Sequence, residues 1–188
     1  MTRFAVTAVL QLCVFIAVHA TEILHNSVQY TDGIYIVEFE ALVSAEQPEI
    51  YALLTDYNHL YLLNDTITES EMISEHNDLI KTCRLMLHIC ILYFCRDAVM
   101  VEDIRENGSD MVVATVNPAR SDFSSGRSEW KILPAGVGQT RIVLRRTLEP
   151  SFWVPPLIGP WVIKNKMVQE LSVMLKRLEQ YANAETGA

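Results

Sequence analysis

Basic side chains are in short supply. The 188 residues hold 15 Lys and Arg against 23 Asp and Glu, giving a formal charge of −8. So acidic a chain lacks the cationic surface that phosphate neutralisation requires, so nucleic acid is not an expected partner. Internal repeats and low-complexity tracts are absent. So are a GxGxxG or Walker loop, a GxSxG elbow and an HExxH pair, which removes the common nucleotide-binding, serine-hydrolase and zinc-protease patterns. His25, His59, His76 and His88 are scattered at no ligand spacing. No metal, cofactor or catalytic residue is called for, although an acid–base site assembled from distant residues stays open. What the chain does have is apolar content, at 50%. That suffices for the core of one domain, or of one domain plus a targeting segment.

The first twenty residues read as the targeting segment. Met1-Thr2-Arg3 gives a positive start, Phe4 to Val18 is almost wholly apolar, and Val18-His19-Ala20 suits a cleavage site. As a helix the apolar run reaches about 22 Å, short of the ~30 Å hydrocarbon core, so a signal peptide cleaved after Ala20 is favoured over a permanent span. The expected location is secreted or periplasmic. The expected division is a signal peptide at 1–20, a lead-in at 21–32, one domain at 33–184 and a disordered tail at 185–188. Export would put Cys83, Cys90 and Cys95 in an oxidising compartment. Cys90 and Cys95 are the candidate disulfide, but an odd separation puts them on opposite faces of a regular strand. They can bond only if the strand bulges or turns between them, and buried free thiols are the alternative. The spacings match no standard zinc arrangement.

Beyond the leader, Gly33 to Val43 reads as a strand, rich in β-branched and aromatic residues. Pro48 and Glu49 then suit a helix first turn, Ile50, Leu53, Leu54 and Tyr57 recur at helical spacing, and a second short helix or turn fits Tyr57 to Leu63. Six strands follow, at Ile67–Glu75, Leu79–His88, Ile91–Arg105, Met111–Asn117, Arg127–Leu133 and Thr140–Leu148. Turns are signalled at His76-Asn77-Asp78, Asn107-Gly108-Ser109, Ser124-Ser125-Gly126 and Gly136-Val137-Gly138. Gaps too short for crossover helices make the sheet an antiparallel meander. Four prolines between Pro150 and Pro160 break regular structure. From Trp161 to Ala182 there is neither Gly nor Pro, and Met167, Leu171, Met174, Leu178 and Tyr181 form an apolar stripe. That is an amphipathic helix of about 33 Å. The fold class is therefore α+β: a curved antiparallel sheet of about seven strands wrapped around a long C-terminal helix, with two short helices after the first strand. A gap where the short helices sit is a natural small-molecule site.

Ile50-Tyr51-Ala52-Leu53-Leu54-Thr55-Asp56-Tyr57 followed by Leu60 to Leu63, and Phe152-Trp153-Val154-Pro155-Pro156-Leu157-Ile158-Gly159-Pro160 leading into the last helix, resemble the START-like helix-grip (SRPBCC) superfamily. Its polyketide cyclase/dehydrase and coenzyme-Q-binding branches fit best, and the resemblance covers about residues 30 to 184. Ser121 to Arg127 and Tyr93-Phe94-Cys95-Arg96 look like a secreted bacterial subgroup of it. Asn64 departs from the pattern, standing where the family often has proline. The resemblance implies a hydrophobic cavity between sheet and helix. Family members bind lipids, quinones, sterols or polyketide-like rings, and a minority catalyse cyclisation or dehydration. Fold alone does not choose among these.

Strand alternation places Ser128, Trp130 and Ile132 on one face, and Ile142, Leu144, Arg146 and Leu148 on another. If both look inward, Arg146 needs an anionic or polar partner. One reading has Arg146, with Arg84 or Arg96, meet the polar head of a greasy ligand. The other pairs it with Glu102, Glu129 or Glu38, or turns it outward. Trp153 and Trp161 could line the cavity entrance, with the 152–161 segment acting as a lid or making transient contact with a membrane surface. Packing over the sheet end is the plainer reading. Met167 and Leu171 are core residues first, and cavity wall where the sheet curves away. The candidate cavity set is thus Trp130, Ile132, Leu144, Arg146, Trp153, Trp161, Met167 and Leu171. The partner it implies is a hydrophobic small molecule. The alternatives are a cyclase/dehydratase-type enzyme drawing on Arg146 with His59, Tyr93 or Asp122, and a protein-interaction module using residues 152–161.

Overall fold

In the computed structural model, residues 21–76, 80–91, 93–154 and 159–186 are described. The expected signal peptide, residues 155–158 of the proline-rich segment and residues 187–188 lie outside them. No described helix is long and apolar enough to cross a membrane.

Eight antiparallel strands form one sheet in the order β1-β2-β8-β7-β6-β5-β4-β3. They are β1 Glu22–Thr31, β2 Ile34–Val43, β3 Ile67–His76, β4 Ile80–Ile91, β5 Phe94–Asn107, β6 Met111–Val116, β7 Phe123–Gly136 and β8 Gln139–Pro150. Helix α1 (Gln47–Thr55) and a 3₁₀ turn at Leu60–Leu62 follow β2, and α2 (Gly159–Thr186) ends the chain.

Four expectations need correction. Residues 21–32 are no lead-in: they supply β1, an edge strand paired with β2 from Glu22↔Leu42 to Thr31↔Ile34. The break in the long apolar run falls after Ile91, so β4 runs on past His88, β5 starts at Phe94, and the two pair from Lys81↔Ile104 to Ile91↔Phe94. Ser124-Ser125-Gly126 is not a turn but part of β7, with a register shift between Phe123 and Ser125. Gly126 is needed for close approach, because a Cβ there would sit 2.5 Å from Val116 Cγ2. The helix also runs through residues 185 and 186 of the expected tail.

Where the helix touches the sheet decides where the hollow lies. Met174, Leu175, Leu178 and Ala182, in the C-terminal half of α2, are buried against Phe39, Ala41 and Val43 of β2, Ile132 of β7, and Ile142 and Leu144 of β8. The other half of the sheet packs its own cluster around Leu85, Leu87, Met100, Ile104 and Val112, which receives only partly buried Met167 from the helix. The helix is thus gripped tightly at its end and loosely at its start. Glu106 of β5 ties the short helices over the β4–β5 end of the sheet. It accepts hydrogen bonds from Tyr57 Oη at 2.7 Å, Tyr51 Oη at 3.2 Å and Lys81 Nζ at 2.8 Å.

Candidate functional site

Two adjoining hollows occupy the loosely gripped region, of ≈ 190 Å³ and ≈ 120 Å³. Asn64, Trp130, Arg146 and Met174 line both. The outer chamber runs past Tyr35, Val37, Ile89, Phe123 and Phe152 to Ile163, Met167 and Leu171 of α2. The inner one is roofed by Leu54, Tyr57, Leu60 and Leu63 and floored by Leu85, Glu102, Ile104, Ala114 and Ser128. A depression of ≈ 410 Å³ lies across Asp103, Arg105, Thr115 and Arg127, which alternate with the inward-facing Glu102, Ile104, Ala114 and Ser128. It belongs to the polar outer face.

Of the candidate cavity residues, Trp130, Leu144, Arg146, Met167 and Leu171 meet around the outer chamber. Ile132 does not: it is fully buried in the core beside Ile142 and Leu178, where the helix grip is tight. Trp153 is 71% exposed and borders a small side hollow with Phe94, Cys95 and Arg96. Trp161 is 67% exposed on the first turn of α2. Neither indole is turned into the chamber.

Arg146 does face inward. Its cross-strand neighbours are Val37 and Ser128, and its Nη2 lies 3.5 Å from Glu102 Oε1 and 3.3 Å from Met100 Sδ. The Glu102 side chain is only 10% exposed. Burial pushes its carboxyl above the ordinary range, and the facing guanidinium only partly offsets this. Arg84 is elsewhere, paired with Glu71 on the surface, and Arg96 stacks over the Phe152 ring at 4.4 Å. The enzyme-type convergence of Arg146 with His59, Tyr93 or Asp122 does not form. His59 pairs with Asp56 at 2.8 Å beside a separate hollow, Tyr93 is 96% exposed, and Asp122 Oδ2 accepts the Val99 amide at 2.7 Å.

Residues outside the candidate set give the site its polarity. Among the described residues, buried side-chain atoms without a hydrogen-bond partner include Tyr35 Oη, Thr66 Oγ1, Arg146 Nε and Glu170 Oε2, and all four residues line the outer chamber. Buried polar groups are ordinarily satisfied, so such a cluster marks a place where something else completes the hydrogen bonds. Burial raises the Tyr35 phenol to about 12, so it stays a neutral donor. Glu170 had a signal in the sequence, since it falls with Met167, Leu171 and Met174 on one helix stripe. Its Oε1 meets Lys166 Nζ at 2.5 Å.

Cys90 and Cys95 are joined. The chain turns between them, which brings them opposite each other as a cross-strand pair. Their sulfurs and a ring nitrogen of His88 lie within 4.8 Å of one another, but sulfurs bonded to each other are not metal ligands. Cys83 is a buried thiol pushed up to about 12 by burial, and so unreactive.

No family model matches the sequence, and no curated protein does. Solved structures do match its fold. An aromatase/cyclase, Zhui from Streptomyces sp. R1128, shares 11% identity over 81% of this chain and 96% of its own, with a TM-score of 0.66. A START superfamily protein from Mycobacterium smegmatis shares 19% over 79% of this chain and 97% of its own, at 0.63. A STAR-related lipid transfer protein from Xanthomonas axonopodis shares 14% over 84% of this chain and 98% of its own, at 0.56. The chain has the START-like helix-grip fold.

Proposed function

We propose that this is an exported START-like protein that shelters a hydrophobic small molecule with a polar end, such as a lipid, a quinone or a polyketide-like ring. The observation that carries the reading is the chamber between α2 and the sheet, with apolar walls from Leu144, Met167 and Leu171 and unsatisfied polar atoms on Tyr35, Thr66, Arg146 and Glu170. Such a wall suits a guest that is oily over most of its length and accepts and donates hydrogen bonds at one end. The likeness to a lipid transfer protein supports it. The N-terminal apolar run supports export, and the exposed Trp153 and Trp161 support brief contact with a membrane surface during loading. Organic extraction of the purified protein followed by mass spectrometry tests the reading. A bound amphiphile is expected. No extractable species, together with no uptake of an apolar fluorescent probe, would overturn it.

A second reading, a cyclase or dehydratase acting on a polyketide-like substrate, is favoured by one observation. Glu102, whose carboxyl burial biases toward the protonated form, lines the inner chamber beside Arg146 and Ser128. A protonated acid next to a guanidinium can donate to a carbonyl oxygen. Turnover of a model polyketide that Glu102→Gln abolishes would favour this reading over simple carriage.

A further inference from the structure

One face of the β4–β5 hairpin carries two successive cross-strand pairs, His88↔Asp97 and Cys90↔Cys95. His88 Nδ1 lies 2.7 Å from Asp97 Oδ1, and Nε2 lies 3.4 Å from Cys90 Sγ. The carboxylate accepts the Nδ1–H, which fixes the ring and leaves Nε2 aimed at the sulfur. A sulfur with a base in reach, and the base oriented by a third group, is the arrangement that activates a thiol. Nothing in the binding role uses it. His88, Cys95 and Asp97 are exposed, whereas Cys90 is half-buried and lines the outer chamber. A structural disulfide would need neither the imidazole nor its carboxylate.

We propose that Cys90–Cys95 is a thiol–disulfide exchange site whose co-reactant is a small thiol or dithiol. The attacking thiolate bonds to the exposed Cys95 Sγ, the Cys90–Cys95 bond breaks, and its electron pair leaves on Cys90 Sγ. Protonated His88 donates its Nε2 proton to that departing sulfur, while Asp97 holds the imidazolium. A second thiolate then attacks the mixed disulfide, releasing Cys95 as thiolate and the co-reactant as its own disulfide. The protein disulfide gains two electrons and two thiols lose them. In reverse, His88 takes the proton from Cys90, whose thiolate re-forms the bond. Asp97 is a positioning residue acting through His88. Since Cys90 also borders the chamber, the exchange takes place at the rim of the binding site.

The test is reduction of the purified, oxidised full chain by 2-mercaptoethanol, quenched by alkylation and mapped by peptide mass spectrometry, in wild type, His88→Ala, His88→Gln and Asp97→Asn. The wild-type rate per attacking thiolate should fall as pH rises. Both His88 variants should be slower by on the order of ten-fold with a flat profile, the loss expected when the leaving thiol has no charge partner. Asp97→Asn should fall between them. The trapped mixed disulfide should sit on Cys95. Wild-type rates and an unchanged pH profile in His88→Gln, or an adduct on Cys90, would overturn the proposal.

Discussion

Arg146 and Glu102 face each other inside the protein, Nη2 to Oε1 at 3.5 Å, in a hollow both of them line. The separation is long for an ion pair, and Arg146 Nε has no hydrogen-bond partner among the described residues. Both groups are largely withdrawn from water, with one long contact between them and the Arg146 Nε left unpaired among the described residues. Under the proposed carrier role, a guest with a polar end would complete the pair's hydrogen bonds. Removing one member should be worse than removing both. Arg146→Leu or Glu102→Leu alone should destabilise the empty protein by about 3 kcal/mol, because the remaining member is left buried without its partner, and the double variant should recover most of that loss. Chemical denaturation of the four proteins of the cycle checks this.

The buried Glu102 and the half-buried Glu106 respond to pH with opposite signs. Glu102 is raised above its ordinary value, so the folded state holds its proton where the unfolded chain has lost it. Its contribution is full below the ordinary carboxylate value and is lost as pH rises through its own. Glu102→Gln should therefore gain on wild type between acidic and neutral pH in a denaturation series.

For Glu106, burial pulls upward but is outweighed by the Lys81 and Tyr57 hydrogen bonds, the Lys81 charge and the Tyr51 hydrogen bond, and the net shift is down. Its contribution is present above the ordinary carboxylate value and disappears as pH falls through the lowered one. Glu106→Gln should be the less stable protein at neutral pH, with the difference vanishing in acid. The same series measures it.

Ile132 and Gly126 are structural. Ile132→Ala opens a cavity where the helix grip is tight and should cost about 2–5 kcal/mol while leaving probe uptake intact. Gly126→Ala forces a methyl against Val116 Cγ2, and should cost about 1–3 kcal/mol by thermal denaturation with binding unchanged.

Much of the fold was legible because burial imposes periodicity. The stripe through Met167, Leu171, Met174 and Leu178 and the alternation around Trp130 and Leu144 announced the helix and the sheet face it meets. β1 was not, since Glu22–Thr31 is almost all exposed and is held by backbone pairing to β2, which leaves no apolar pattern. The β4–β5 turn was misplaced because the run around Cys90 carries no Gly, Pro or Asn punctuation. In Ser124-Ser125-Gly126, a glycine required by crowding looked like a glycine required by a turn. Within the site, alternation singled out Arg146, and Glu102 was one of three partners weighed for it. Tyr35, Thr66 and Glu170 come from a strand, a turn and a helix, and only the tertiary fold brings them to one wall. Trp153 and Trp161 show the converse: large apolar residues beside a cavity segment need not face it.

The most direct measurement is titration of an apolar fluorescent probe into wild type and Met167→Trp side by side. Met167 lines the outer chamber from the loosely held half of α2, so an indole there fills the space while the tightly packed Met174–Ala182 half is untouched. The account predicts saturable binding of one probe per wild-type chain, and its loss in a variant that still unfolds cooperatively near the wild-type temperature. Equal binding by both proteins, or none by the wild type after its native contents are extracted, would contradict it.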